Sequence, residues 1–405
     1  MREGGGEDVR GRRRVRVLSL LAGALAATVA AGLGGIAWYF SDLAVAVDHS
    51  TSYPLTAWPG SDGTVTITKD HDATLPGRYG LEWAGGYGTV TTVTGTAAPA
   101  EAATAFGAPA ADGTVTRRFT AGSGTLVAGA RVSVDSFAYR GDPRTALGLD
   151  FRDVEVPTEL GAMPAWYLSA TGDPQRDRGR SWVVFVHGHD SNRQESLRYL
   201  PALHRLGLPV LVVTYRNDVG APSAPDGVDH LGDTEWRDVV AALTWARQSG
   251  ARDVVLAGWS MGGAVSLQAW DRGGVRGFVR GLVLDSPVVD WRDVLTFQGS
   301  ERGLPTPVTG LALQVMQRRT GIDLGRLDWV SRAPELTAPM LVFASDDDTY
   351  VPDGPAKRLA AVRPDLVTLV NVPGADHTRS WNVDPIAYED RLSRWLTALG
   401  AVTTS

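Results

Sequence analysis

Three residues suited to acyl-transfer chemistry fall in loops that follow apolar runs. Gly258-Trp259-Ser260-Met261-Gly262-Gly263 comes directly after the run 254–257 and opens a stretch with helical spacing. A serine on a tight strand-to-helix turn needs flanking glycines, because side chains there collide across the bend; its hydroxyl then projects from the end of the strand. In a chain with 47 glycines the Gly-x-Ser-x-Gly pattern alone is weak, and its place between a strand-like run and a helix gives it weight. The expected chemistry is nucleophilic attack by Ser260, against the rival of a glycine-rich bend with an inert serine.

A neutral serine needs a base within hydrogen-bond reach, and that base needs an anion to hold it. Of seven histidines, His49 and His71 lie near the N-terminus, His204 sits in mid-helix and His230 in a polar loop. His377 is different: Pro373-Gly374-Ala375-Asp376-His377 follows the last strand-like run and precedes the terminal helix, which assigns it as general base and then acid. The rival is a loop histidine in solvent. The anion is expected in Ser345-Asp346-Asp347-Asp348-Thr349-Tyr350-Val351-Pro352. The Asp-x-x-Val-Pro spacing favours Asp348, with Asp346, Asp347, Asp285 and Asp290 as alternatives.

A tetrahedral oxyanion calls for backbone N–H groups aimed at the developing charge. Met261 N–H, at the start of the helix, is one candidate. The loop Val186-His187-Gly188-His189-Asp190 supplies the other, His189 N–H, because Gly188 permits close approach. His187 and His189 also raise the possibility of a metal pair. An i, i+2 pair points to opposite sides of an extended segment, however, and no third ligand is evident, so no metal is expected.

These loops need a scaffold. The runs 182–186, 210–214, 254–257, 282–284, 340–343 and 367–370 are continuously or nearly apolar, the signature of strands covered on both faces. Between them, 195–206, 234–249, 262–271, 355–362 and 385–399 carry the spacing of helices with one apolar face. The alternation predicts a doubly wound α/β domain over 149–401, with reactive loops at the carboxyl ends of the strands.

Upstream, 48–148 is rich in Thr, Gly and Ala with β-branched residues at period two, which predicts a small β-rich region acting as a spacer or cover. The Ala/Pro-rich stretch 97–111 reads as a linker or loop. Residues 1–16 form a basic tail, and 17–41 are free of formal charge and long enough as a helix to cross a bilayer. Arginines before the span and Asp42 and Asp48 after it put the N-terminus in the cytoplasm and the rest outside. The rival is a cleaved signal peptide, since Ala44-Val45-Ala46 has the small-x-small form. The net charge is −6; six arginines against three acidic residues make the tail positive and leave about −9 on the rest of the chain, which disfavours a nucleic-acid partner. With no cysteine, disulfides, thiolate nucleophiles and Cys-based metal sites are excluded.

Together, Phe185-Val186-His187-Gly188-His189, Thr214-Tyr215-Arg216, Leu256-Ala257-Gly258-Trp259-Ser260-Met261-Gly262-Gly263, Leu284-Asp285-Ser286-Pro287, Asp348-Thr349-Tyr350-Val351-Pro352 and His377 resemble the α/β-hydrolase superfamily, in its bacterial serine esterase/peptidase-like branch. The order Ser, Asp, His along the chain is that of the superfamily. The resemblance implies an eight-stranded, mostly parallel sheet flanked by helices, cofactor-free hydrolysis through an acyl-enzyme, and a cap built after Pro287, here the insertion 291–332. Trp291, Phe297, Leu311, Leu313, Val315 and Met316 within it either line an acyl pocket or pack the core. The expected activity is a membrane-anchored, outward-facing serine hydrolase acting on a small ester or acyl substrate. The alternatives are a peptidase or amidase on the same fold, and a non-catalytic surface-binding protein.

Overall fold

A computed structural model describes residues 6–98, 101 and 113–402. Most of the 97–111 stretch expected as a linker therefore lies outside the described residues. The chain divides into two compact units.

The first unit holds the helix Gly6–Leu43 and the segment Leu295–Ile322. The helix starts ahead of the apolar run, so most of the basic tail is itself helical. The helix Thr306–Thr320 packs on this long helix. Arg319 donates to Ser41 Oγ at 3.0 Å and Asp42 Oδ1 at 2.8 Å, and its guanidinium lies 3.8 Å from the centroid of the Trp38 ring. Leu18, Leu21, Leu25, Val29, Leu33 and Ile36 are exposed along the same helix.

The second unit comprises Val47–Val294 and Asp323–Ser405. Its first part is a closed antiparallel barrel of β1 (Leu55–Pro59), β2 (Thr64–Thr68), β3 (Tyr79–Trp83), β4 (Gly86–Ala97), β5 (Thr114–Ser123) and β6 (Ala130–Asp135), in the order β1-β2-β5-β4-β3-β6. Pairing of β1 with β6 closes it and removes the free edges. Leu55, Ala57, Val65, Ile67, Leu81, Val90, Val115 and Val132 fill the interior, so the β-rich region expected from period-two patterning is a packed barrel.

Its second part is an eight-stranded sheet of β7 (Arg152–Thr158), β8 (Gly161–Leu168), β9 (Ser181–Val186), β10 (Val210–Val212), β11 (Asp253–Trp259), β12 (Val279–Asp285), β13 (Met340–Ala344) and β14 (Val367–Asn371). Their order is β14-β13-β12-β11-β9-β10-β8-β7. All pairings from β10 to β14 are parallel, while β8 runs antiparallel to both β10 and β7. The helical stretch expected over 195–206 is broken into a 3-10 turn, Arg193–Arg198, and a helix, Leu200–Arg205. Pro201 explains the break: it has no N–H to continue a helix and is tolerated only in a first turn.

Phe185, Trp259, Phe343 and Tyr388 anchor one core layer, with ring centroids 4.3 Å apart for Phe185–Trp259 and 4.0 Å for Phe343–Tyr388. From β9 the chain passes to β10 on one side and returns as β11 on the other. The loops leaving the carboxyl ends of β9 and β11 therefore diverge and open a crevice, the usual ligand position in such sheets.

Candidate active site

Ser260 stands at the carboxyl end of β11 and leads into the helix Met261–Arg272 with φ +51° and ψ −121°. A non-glycine residue pays a strain penalty there, held in place by its surroundings. Ser260 N–H donates to Asp285 O at 3.0 Å, and Ser260 O accepts from Gly263 N at 3.0 Å and Val288 N at 3.2 Å. Two glycines make the bend possible. A Cβ on Gly258 would lie 2.4 Å from Gly262 O, and one on Gly262 would lie 2.2 Å from Val186 O and 2.4 Å from His187 O.

His377 Nε2 lies 2.8 Å from Ser260 Oγ, and His377 Nδ1 lies 2.9 Å from Asp348 Oδ2. Asp348 Oδ1 accepts from Tyr350 N at 2.9 Å and Val351 N at 2.8 Å, which fixes the carboxylate at the helix-approaching turn. A carboxylate only accepts, so Nδ1 carries the proton toward Asp348 and Nε2 is left to accept from the serine hydroxyl. Burial disfavours the imidazolium, but the Asp348 carboxylate outweighs it, and the pKa of His377 is raised above 6.5.

The other carboxylates weighed from the sequence are engaged elsewhere. Asp346 pairs with Lys357, and Asp347 Oδ2 accepts from Gly374 N at 2.7 Å. Asp285 accepts from Ser380 Oγ at 2.8 Å, and Asp290 accepts from Arg292 N at 2.9 Å.

The loop after β9 runs against the serine: a Cβ on Gly188 would lie 3.3 Å from Ser260 Cβ. Tyr215 OH and the His187 ring both contact Gly188 O, at 2.7 and 2.9 Å, and His187 Nε2 lies 2.8 Å from Asp218 Oδ2. Among the described residues, the Met261 and His189 amides donate to no protein acceptor. The His189 ring sits between Asp190 and Asp229, at 3.0 and 3.1 Å. Burial works against its charge, yet those two carboxylates hold its pKa at about 10.

His189, Asp190 and Asp229 bring ligand-type atoms within 4.8 Å of one another, as do His71, Asp72 and Asp376. In the first group the imidazole is itself the cation. In the second, the Arg379 guanidinium already pairs with both carboxylates.

Sequence reasoning missed two buried charges beneath these loops. Glu195 Oε2 accepts from Gly188 N at 2.9 Å and Ser191 Oγ at 3.1 Å. Arg198 pairs with Glu195 Oε1 at 3.2 Å and donates to Thr378 O at 2.8 Å, one residue beyond His377. On a stretch with helical spacing such residues read as a solvated face, and only the fold turns them inward.

Residues 183–391 match the model of the alpha/beta hydrolase family, and residues 57–135, the barrel, match a domain of unknown function (DUF8805). Over 258 residues the chain is 29% identical to an uncharacterized protein of Mycobacterium tuberculosis strain H37Rv, covering 61% of this chain and 79% of that one. The counterpart in strain CDC 1551 matches to the same extent. The structure of an esterase from Pyrococcus furiosus is similar at a TM-score of 0.51 and 18% identity, covering 64% of this chain and 94% of the esterase. The eight-stranded sheet is therefore an α/β-hydrolase sheet, and with just over half of its length matched, this chain belongs to the alpha/beta hydrolase family.

Proposed function

We propose that this chain is a serine hydrolase that cleaves carboxylic esters through an acyl-enzyme. The observation that carries the reading is the unbroken relay from Asp348 through His377 to Ser260, with links of 2.9 and 2.8 Å. In the reaction Ser260 Oγ attacks the ester carbonyl while His377 Nε2 takes its proton. Asp348 stabilises the imidazolium, and the Met261 and His189 amides receive the oxyanion. His377 then protonates the leaving alcohol, and a water activated by the same imidazole releases the acid. The site would use no metal or cofactor, since attack, proton transfer and charge stabilisation all fall to groups of the chain itself.

The same reading places the enzyme on a membrane, with the cytoplasmic end at the arginine-rich tail and the hydrolase outside. Its support is the exposed apolar length from Leu18 to Leu43, which water would not tolerate and a bilayer would. Turnover of short p-nitrophenyl esters with no turnover of aminoacyl or peptidyl anilides is the expected outcome. The reverse preference would make the enzyme an amidase or peptidase. Extraction only by detergent is expected, and a free protein beginning near Val47 would instead mark a cleaved signal.

A further inference from the structure

The barrel has a filled interior, and among the described residues a group of its polar contacts with the hydrolase part falls on 376–382, the segment that carries His377. The short helix His71–Thr74, in the connection between β2 and β3, presents Asp72 to Arg379. Arg379 donates to Asp72 Oδ1 at 2.8 Å and Oδ2 at 3.0 Å, a two-point grip that sets direction as well as distance. The same guanidinium reaches Asp376 Oδ2 at 3.3 Å, and His71 Nε2 lies 3.1 Å from that oxygen. Asp376 Oδ1 in turn accepts from Thr349 N and Thr349 Oγ1, each at 2.8 Å. Asp376 precedes His377 and Thr349 follows Asp348, so one carboxylate ties the two loops of the relay together and to the barrel. Burial opposes its charge, yet the Thr349 amide and Arg379 keep its carboxyl below the usual range.

A second strut runs in parallel. Asn382, fully buried, donates through Nδ2 to Arg78 O at 2.6 Å and Ser136 O at 2.8 Å, both in the barrel part, and its own carbonyl accepts from Arg78 N at 2.9 Å. Its Oδ1 accepts from Arg198 at 2.6 Å, the arginine that also holds Thr378 O. A Cβ on Gly77 would come within 2.0 Å of Asn382 O, so the surfaces meet at backbone distance. On the barrel side Arg117, also fully buried, donates to Ala73 O at 3.0 Å, Leu75 O at 2.9 Å and Gly77 O at 2.9 Å. The segment that touches the histidine loop is thus clamped to the barrel wall.

We infer that the barrel is a brace for the hydrolytic centre, with Asp72 and Arg379 as positioning residues that hold the His377 loop in register with Asp348 and Ser260. This rests on the serine hydrolase reading. Neither Asp72 nor Arg379 hydrogen-bonds to Ser260 or His377, so their effect passes through Asp376.

The test compares the full-length wild type with Asp72→Ala, Asp72→Asn and Asp72→Glu in kcat and KM for p-nitrophenyl acetate, rate of fluorophosphonate labelling, and Tm. Asp72→Ala and Asp72→Asn are expected to lose about tenfold or more in kcat and labelling rate, because a small misplacement of the base is costly, with KM held within about twofold. Asp72→Glu restores most of the loss. Folded Asp72→Ala or Asp72→Asn protein with wild-type kcat and labelling overturns the brace, and so does a kcat loss that Asp72→Glu fails to recover. If Asp72→Ala does not fold, the isosteric Asp72→Asn is read by the same criterion. A wild type that neither labels nor turns over would defeat the serine hydrolase reading itself, a different result from a labelled wild type indifferent to Asp72.

Discussion

Arg198 Nη1 lies 2.8 Å from Thr378 O, so a fully buried guanidinium grips the backbone one residue beyond His377. Its partner Glu195 grips Gly188 N–H on the opposite loop. One ion pair under the crevice therefore spaces the His377 loop from the Gly188 loop. Arg198→Met leaves Glu195 buried without its cation and is expected to cost about 3–5 kcal/mol, read by urea denaturation. Unchanged stability would mean that the pair is dispensable.

In the proposed reaction His377 must be neutral to accept the serine proton, and its pKa is raised above 6.5. The acid limb of kcat/KM is accordingly expected above pH 6.5, with activity rising as the imidazolium loses its proton. Stability has the opposite sign: the contribution of the His377–Asp348 ion pair is fully present below pH 6.5 and is lost as pH rises through the folded pKa. Asp348→Asn removes the charge that raises the pKa, so the limb moves to lower pH while kcat falls by about 10⁴. A pH–rate series on both proteins checks the two shifts together.

His189 offers a separation of backbone from side chain. His189→Gln keeps the backbone amide that is proposed to receive the oxyanion, so most ester turnover is expected to remain. The imidazolium between Asp190 and Asp229 is lost, however. The wild-type ion pairs stabilise fully below pH 6.5 and fade as pH rises from there through about 10, so the Tm gap between wild type and variant is widest at about pH 6.5 and below and closes toward pH 10. A gap that does not depend on pH would show that the charge is not what stabilises the loop.

Gly262→Ala drives a methyl into Val186 O and His187 O, both backbone atoms. About 1–3 kcal/mol of destabilisation is expected from overpacking, together with loss of turnover, because the clash displaces the loop that carries His189. Thermal melting and ester hydrolysis of the purified variant measure both effects.

The parallel strands were legible because burial on both faces leaves no polar alternation to confuse them, as in Trp182-Val183-Val184-Phe185-Val186. β7 and β8 were missed. β7 is an edge strand reading Arg-Asp-Val-Glu-Val-Pro-Thr, and β8 opens on Gly-Ala-Met-Pro, so neither shows a continuous apolar run. Period-two patterning marked the barrel region as β-rich, but closure depends on the β1–β6 pairing across some 75 residues, which no local pattern encodes. At the site, Ser260, Asp348 and His377 could be picked out because each sits in a turn after an apolar run, where a reactive side chain stands out. Glu195, Arg198 and Asp376 could not, since a charged residue carries no local sign that the fold will bury it.

The central claim is that Ser260 is a nucleophile activated by His377, and active-site labelling tests it most directly. Intact protein treated with a fluorophosphonate and analysed by peptide mass spectrometry is predicted to carry one adduct on Ser260, absent from Ser260→Ala and slowed at least a hundredfold in His377→Ala. No adduct on the folded wild type, or equal labelling of Ser260→Ala, would contradict the account.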